Sequence, residues 1–436
     1  MITALIYFLL FILWLEPTFG TSIAGIKGIS LSNLSVFLLI LGWLVSVALK
    51  RGLFMWNGLY KYLFVFMLIL IVSIPIKYIT GEFDNLSLLN EIFFLKNWLE
   101  PFFLFILVFN VIRDKLTCKK AVFGLIIVLM SSVLVTLLVV SDLAMIGKIS
   151  YAHDGHWPGF AEPNQYAAYL VLMVPLLFSA IIMQRSIMTK HLGTICAILT
   201  TSTIISTGSR GGILAFLASM TIYAILLFKN RIIGKQVLLL AGFAFGLVLA
   251  GSLLFLPEWI IDRTKARITF TENPRELTID TYSSGRIQLW TWGLEAFFER
   301  PVFGHGQNAF HSLLEQRYRS HGDTHNMYLK YLVDHGLVGF FAFVLILVHL
   351  VRISLIELRK TTDPYGKMLY FSFLSGFLGY CLAMLFVNIY NIWSFVLLYA
   401  AVVYRYIYLD REENASRTGT PSISGTNQNA NKLTYV

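Results

Sequence analysis

The chain is dominated by long apolar runs joined by short connections. A helix needs about 20 apolar residues to cross a bilayer, and about twelve runs near that length can be read along the sequence. Apolar residues make up 57% of the chain and charged residues only 13%. A soluble domain could not cover so much apolar surface with polar groups. The sequence therefore predicts an all-α polytopic membrane protein.

The predicted spans occupy most of the chain. They are expected near residues 2–15, 31–49, 59–79, 91–111, 121–141, 164–183, 191–207, 211–228, 236–256, 328–350, 367–387 and 391–408. The first and seventh runs are short for a full crossing.

Composition divides the chain into four parts. Residues 1–256 hold the first nine predicted spans, and residues 328–410 hold the last three. Between them lies a polar insert at 257–327. The segment 411–436 is rich in Asn, Ser, Thr and Gly, which predicts a disordered tail.

Basic residues in the short loops predict the orientation. They recur in one set of alternate loops, at Lys50, Arg51, Arg113, Lys119, Lys120, Arg185, Lys190, Lys229, Arg231, Arg352, Arg359 and Lys360. The opposite short loops hold little beyond Lys27 and Lys148. Because cytoplasmic loops carry the excess of Lys and Arg, both termini are predicted to be cytoplasmic and the polar insert to lie outside. The net charge of +10 follows this distribution, so it does not indicate nucleic-acid binding.

The sequence assigns no metal site and no cofactor. The three cysteines lie far apart and show no metal-binding spacing. The stretch HDGHW at 153–157 gathers two histidines and an aspartate, but their spacing is not a zinc pattern.

The polar insert contains a predicted amphipathic helix. A turn at 283–285 leads into a helix from about Arg286 to Glu299, whose aromatic and aliphatic residues suit a membrane surface or a lid over a cavity. Arg286 falls in the first helical turn, where a cation opposes the helix dipole. An anionic partner would resolve this mismatch; a solvated loop arginine is the alternative.

Arg210 lies in STGSRGGILAF, where one predicted helix ends outside and the next begins. The first N–H groups of a helix carry partial positive charge, so together with a guanidinium they form a candidate anion site. The alternative is an arginine that extends to the lipid headgroups.

His325 and Asn326 directly precede the tenth predicted span. Histidine can accept a proton from a hydroxyl nucleophile near neutral pH. The remaining histidines of this region are assigned structural positions, namely His305, His311, His321 and His335. Lys96, four residues before Glu100 in the fourth span, is either a site residue or one half of a local ion pair.

Four segments together resemble the O-antigen ligase/polymerase superfamily of WaaL-like ligases and Wzy-type polymerases. They are GFAEPNQYAAYL at 159–170, STGSRGGILAF at 206–216, SSGRIQLWTWGLEAFFERPVFGHGQNAF at 283–310 and THNMYLKYLVDHGLVGF at 324–340. Each segment is weak alone, and their order around one large external loop is more specific. The resemblance covers roughly residues 150–345.

The resemblance implies a glycosyltransferase of the bacterial inner membrane. Such enzymes move a glycan from undecaprenyl diphosphate, on the periplasmic face, to an acceptor hydroxyl of lipid A–core or of another lipid-linked glycan, without a metal. The resemblance places the essential arginines on Arg210 and Arg286 and the essential histidine on His325. In-line attack would invert the anomeric centre. Candidate substrate-binding residues are Lys96, Asn164, Ser209, Gly211, Gly285 and Asn326.

Three functions remain open at this point. One large external loop favours a ligase-like plan over a Wzy-type O-antigen or exopolysaccharide polymerase. A lipid-linked glycan transporter is the rival from another class. Transporters commonly show paired halves with charged residues near the membrane centre. No matching halves are found here, and the polar motifs gather on one side.

Overall fold

The computed structural model describes residues 2–19, 31–49, 54–79, 88–140, 162–234, 285–318, 322–389 and 392–418. The regular secondary structure within these ranges is α-helical throughout. The helices are α1 (Ile2–Phe19), α2 (Leu31–Ala48), α3 (Leu59–Ile79), α4 (Leu88–Val111), α5 (Lys115–Val140), α6 (Pro163–Met183), α7 (Ile187–Ser206), α8 (Arg210–Lys229), α9 (Arg286–Glu299), α10 (Ala309–Tyr318), α11 (Met327–Lys360), α12 (Pro364–Ala383) and α13 (Trp393–Thr418).

Each predicted span except the ninth corresponds to one of these helices. The ninth, at 236–256, lies outside the described residues. Five of the described helices are long and apolar enough to cross a membrane, namely α3, α5, α6, α8 and α11. The predicted fold class of an all-helical membrane protein is therefore supported. The count of twelve spans, the cytoplasmic termini and the periplasmic side of the polar insert stay predictions.

Two helices begin earlier than hydropathy predicts because aspartates cap them. α5 begins at Lys115, and the preceding Asp114 accepts a hydrogen bond from Thr117 N at 2.7 Å. α12 begins at Pro364, after Asp363, whose carboxylate accepts from two backbone N–H groups of the first turn. Such caps satisfy N–H groups that have no partner within the helix.

α13 extends beyond its predicted end at residue 408, as far as Thr418. Lys115 Nζ lies 2.6 Å from Asp410 Oδ1 and 2.7 Å from Glu413 Oε2. These ion pairs fasten the extension to α5. The first part of the tail predicted to be disordered is therefore helical, and the remainder lies outside the described residues.

Close packing of α6 against α12 and of α12 against α8 forms the centre of the fold. A Cβ added at Gly376 would lie 2.2 Å from Leu172 O, and one added at Gly379 would lie 2.6 Å from Ser219 Cβ. Small residues allow helices to approach each other closely. Such packing is important in lipid, where the hydrophobic effect does not drive helices together. The beginnings of α6 and α8 and the end of α12 thereby meet.

A break at Gly336 divides α11, which was predicted as one span at 328–350. Gly336 has φ 62° and ψ −164°, a conformation open almost only to glycine. The Tyr331 and Phe343 ring centroids are 4.2 Å apart. Twelve residues of continuous helix would separate them by about 18 Å. Residues 327–335 therefore fold back along the rest of α11.

A break inside a helix leaves backbone groups without helical partners. The turn at 301–306, which follows α9, supplies them. Two of its carbonyls accept from N–H groups after the break, and two of its N–H groups donate to carbonyls before it. The bonds are Leu337 N to Pro301 O (2.8 Å), Val338 N to Val302 O (3.2 Å), His305 N to Val333 O (3.0 Å) and Gly306 N to Asp334 O (2.8 Å).

Gly336→Ala should release this turn. An alanine Cβ would lie 2.3 Å from Val302 O, and the backbone conformation alone costs a residue with a side chain about 1–3 kcal/mol. We expect faster chymotryptic cleavage in membrane vesicles after Phe303, a residue of this turn that is already 60% exposed. Gly42→Ala is the control, because a Cβ there meets nothing within 4 Å. Equal cleavage rates in the two variants would show that the turn does not depend on the break.

Candidate functional site

Two helices of the polar insert, α9 and α10, cover the part of α11 that precedes its break. They share a small apolar core with it, formed by Ala296, Phe310, Leu313, Leu314, Leu329 and Val333. The amphipathic helix predicted from Arg286 to Glu299 is confirmed as α9. Its small residue Gly293 packs on Leu329, where a Cβ would lie 2.8 Å from Leu329 Cδ2. α9 therefore closes over residues 327–335.

Another face of α9 remains apolar and exposed. Ile287, Leu294 and Phe298 are 40%, 45% and 72% exposed. They lie close to one line along the helix, because their spacings of seven and four residues correspond to two turns and one turn. This stripe suits the membrane surface predicted for the helix.

α9 and α10 are also joined by polar contacts. Arg317 Nη1 donates to Glu299 Oε1 at 2.6 Å, and this bond holds the pKa of the Glu299 carboxyl below its usual value. His305 is buried with its Nε2 2.7 Å from Ala296 O, which fits the structural position predicted for it.

A buried charged network lies beneath α10, around Lys330. Its Nζ is 3.1 Å from Asp334 Oδ2 and 3.4 Å from Asp323 Oδ1, and it donates to Asn308 Oδ1 at 3.0 Å. Asp334 Oδ1 also accepts from Phe310 N at 3.1 Å. The network joins α10, α11 and the loop that leads to His325. The sequence signal was a Lys and an Asp four residues apart in an apolar helix.

His325 faces a carboxylate that the sequence analysis missed. Its side chain is 35% exposed, and its Nδ1 lies 3.7 Å from Glu162 Oε1. Glu162 is the N-cap residue of α6, and the same carboxylate oxygen accepts from Asn164 Nδ2 at 2.9 Å. Imidazole, carboxylate and amide thus form one chain of polar groups. The available signal was an acidic residue directly before the proline that starts a helix.

The residues on either side of His325 hold the loop in place. Thr324 Oγ1 donates to Asn388 Oδ1 at 3.1 Å. Asn326 caps α11, because its Oδ1 accepts from Tyr328 N and Leu329 N at 3.1 Å each. His325 itself has φ 47°, which is uncommon for a residue with a side chain. Asn326 is predicted to contact the substrate, and the structure shows that it also caps α11.

Arg210 is the first residue of α8, and its side chain is exposed. Ser209 caps the helix by accepting from Gly212 N at 3.0 Å. A Cβ at Gly211 would lie 2.5 Å from Phe386 Cβ, and one at Gly212 would lie 2.5 Å from Ala167 Cβ. These glycines let the start of α8 fit between α6 and the segment that follows α12.

Neighbours of the three predicted catalytic residues are linked, directly or through Thr324, to that segment, residues 384–389. Gly211, next to Arg210, packs on it, and Thr324, next to His325, bonds to it. Trp290, one turn after Arg286, donates from Nε1 to Thr324 O at 2.9 Å. Four stretches that are far apart in sequence therefore meet.

The other candidates are placed differently. Gly285 precedes α9 with φ 77° and open space where a Cβ would point. Lys96 lies 3.9 Å from Glu100, which is the local pair that sequence reasoning offered as the alternative. Trp98, not Lys96, is the side chain of this turn of α4 that contacts Tyr331 and Trp393. The HDGHW stretch and His321 lie outside the described residues.

Lys77 is a second residue that the sequence analysis missed. It is buried near the end of α3, and a Cβ at Gly306 would lie 2.5 Å from its Cβ. A buried cation in a membrane-spanning helix is a functional candidate. Its place beside the 301–306 turn puts it at the same end of the bundle as the break in α11.

Comparison with known proteins identifies part of the chain. Residues 195–344 match the family model Wzy_C, described as O-antigen ligase. The match confirms the resemblance to the O-antigen ligase/polymerase superfamily, and it contains Arg210, Arg286 and His325. An alignment of 169 positions, which covers 36% of this chain, is also 27% identical to an uncharacterized protein from Haemophilus influenzae. The chain spans 41% of the length of that relative.

Lys330→Met should destabilise the site strongly. It leaves the buried Asp334 carboxylate without its cation, and breaking one partner of a buried pair costs about 3–5 kcal/mol. Arg317→Met is the matched control. It breaks a pair whose side chains are 36% and 46% exposed, and such pairs contribute about 0–1 kcal/mol. Thermal unfolding in detergent should separate the variants, and equal midpoints would contradict a stabilising network.

Proposed function

We propose that this chain, whose residues 195–344 match the O-antigen ligase family model, is a glycosyltransferase of the inner membrane of bacteria. It transfers a glycan from undecaprenyl diphosphate to an acceptor hydroxyl at the periplasmic face, without a metal or another cofactor. The acceptor is lipid A–core in the ligase reaction. The observation that carries the proposal is the His325–Glu162 pair beside the start of α8.

In this proposal His325 is the general base. Because Glu162 lies on the Nδ1 side of the ring, the carboxylate favours a proton on Nδ1 and leaves Nε2 to accept one. Nε2 takes the proton of the acceptor hydroxyl as its oxygen attacks the anomeric carbon. The bond from that carbon to the diphosphate oxygen breaks, and its electron pair leaves with undecaprenyl diphosphate. Attack opposite the leaving group inverts the centre.

Arg210 and Arg286 stabilise the departing diphosphate. Guanidinium groups match phosphate oxygens with paired donors, and they act more strongly where water is excluded. Arg210 also stands at the positive end of the α8 dipole, where N–H groups favour anions. The first turn of α9 gives Arg286 an unfavourable helix position that a diphosphate would correct.

The remaining candidates support these three. Asn164 holds the Glu162 carboxylate, while Ser209 and Asn326 fix the helix starts that carry Arg210 and follow His325. Gly285 leaves open space through which the substrate can approach the backbone, whereas Gly211 supports the site by letting the start of α8 pack against Phe386. Lys96 is proposed to contact the glycan, and it carries the least structural support.

The fold-back of α11 supports a reaction within the outer half of the bilayer. Phe343 lies about 9 Å along the helix from residue 337, and Tyr328 and Tyr331 both lie against it. His325 therefore lies in a recessed position, which a lipid-linked diphosphate can reach laterally from the bilayer. The exposed apolar stripe of α9 would rest in the membrane interface above it. The rival transporter is not favoured, because these polar groups gather at one end of the bundle.

His325→Ala, Arg210→Ala and Arg286→Ala should each reduce transfer at least about 100-fold, because loss of one transition-state donor costs about 3 kcal/mol. Glu162→Gln should reduce it less, since the imidazole remains. The assay uses purified protein with undecaprenyl-diphosphate glycan and candidate acceptors. His191→Ala and Arg317→Ala are controls in exposed positions away from the proposed site. Near-normal transfer by the first three variants, at wild-type membrane levels, would reject the mechanism.

The glycan phenotype of a deletion strain separates the two acceptors. Loss of polymer from lipid A–core, with polymer still attached to the carrier lipid, identifies a ligase. Single repeat units in place of long chains identify a polymerase.

A further inference from the structure

A groove of about 840 Å³ runs between α11 and α12. It begins at Tyr328 and Cys381, and aliphatic side chains such as Leu347 and Val348 line its middle. Arg359 lies at its other end, and Arg352 lies two helical turns earlier, near the middle of the groove. The half of the groove that begins at Tyr328 is therefore apolar, and the other half carries two cations, which suits an amphiphile.

The two arginines are placed to bind a common ligand. They are seven residues apart, so they lie on one side of α11 about 10 Å from each other along the axis. Both side chains are exposed. Among the residues that the structure describes, neither forms an ion pair, and the nearby Glu357 carboxylate is bonded to Arg411 instead. Their charge is thus available to an anion.

The dimensions fit a membrane phospholipid. The part of α11 from Val344 to Arg359 is about 22 Å long, which corresponds to one half of a 30 Å hydrocarbon core with the adjoining headgroup layer. Arginine forks bind phosphate with paired donors, and basic grooves between spanning helices select anionic headgroups. A polyprenyl diphosphate held by His325 would place its charge at the opposite end, so it does not fit this pattern.

We propose that this groove holds an anionic phospholipid of the bilayer, with its phosphate between Arg352 and Arg359 and an acyl chain directed toward Tyr328. Tyr328 donates from its hydroxyl to Cys381 O at 2.8 Å and so joins the start of α11 to α12. The acyl chain packs against this contact, three residues from His325. The lipid site does not depend on the glycan-transfer activity proposed above.

The test measures lipid retention by the full chain. The protein is purified from membranes in mild detergent, delipidated, and incubated with phosphatidylglycerol or phosphatidylethanolamine before native mass spectrometry. Wild-type protein should retain phosphatidylglycerol in at least tenfold excess over phosphatidylethanolamine. Arg352→Gln/Arg359→Gln should lose this excess. Lys360→Gln is the matched control, since Lys360 is an adjacent exposed cation that does not line the groove.

A second variant tests the groove itself. Val348→Trp fills the groove without a change in charge, and its exposed position makes the substitution compatible with folding. This variant should also retain at least tenfold less phosphatidylglycerol than the wild type. Wild-type retention by both the double variant and Val348→Trp, or equal retention of the two lipids by the wild type, would overturn the proposal. Lipid binding is read directly, so failure of glycan transfer leaves the test intact.

Discussion

The exchange of backbone hydrogen bonds across Gly336 is the constraint on which the rest of this end of the molecule depends. A helix interrupted in an apolar medium must find other partners for its N–H and C=O groups, because no water is present to bind them. The 301–306 turn provides those partners from outside the helix. α9 and α10 are thereby fixed to α11 through main-chain contacts, which do not vary with side-chain identity.

This attachment explains how a site can be assembled from four distant stretches. The fold-back brings the start of α11 against the end of α12, where Met327 N donates to Met384 O at 2.9 Å. Small residues at the start of α8 admit the same segment on its other side. The positions of the polar groups are then set by packed helices and caps, and such preorganisation is what electrostatic catalysis requires.

α11 connects the two sites discussed above. One end follows His325, while the other carries the guanidinium groups of Arg352 and Arg359. Its groove-lining residues from Val344 to Val351 are aliphatic. In our proposals α11 therefore contacts charged lipid groups at both ends. The Tyr328–Cys381 hydrogen bond lies between the two proposed sites. A change in the packing of α11 against α12 would therefore alter both sites.

The sequence by itself determined the helical membrane class, most span positions and the bounds of α9, because hydropathy and amphipathic periodicity are local properties of the chain. It also pointed to Arg210, Arg286 and His325 through ordered motifs. Only the tertiary structure decided the Glu162 partner of His325, the break at Gly336 and the helical extension to Thr418. Each of these depends on a hydrogen bond or ion pair between residues distant in sequence, and no local pattern specifies which distant group will be the partner.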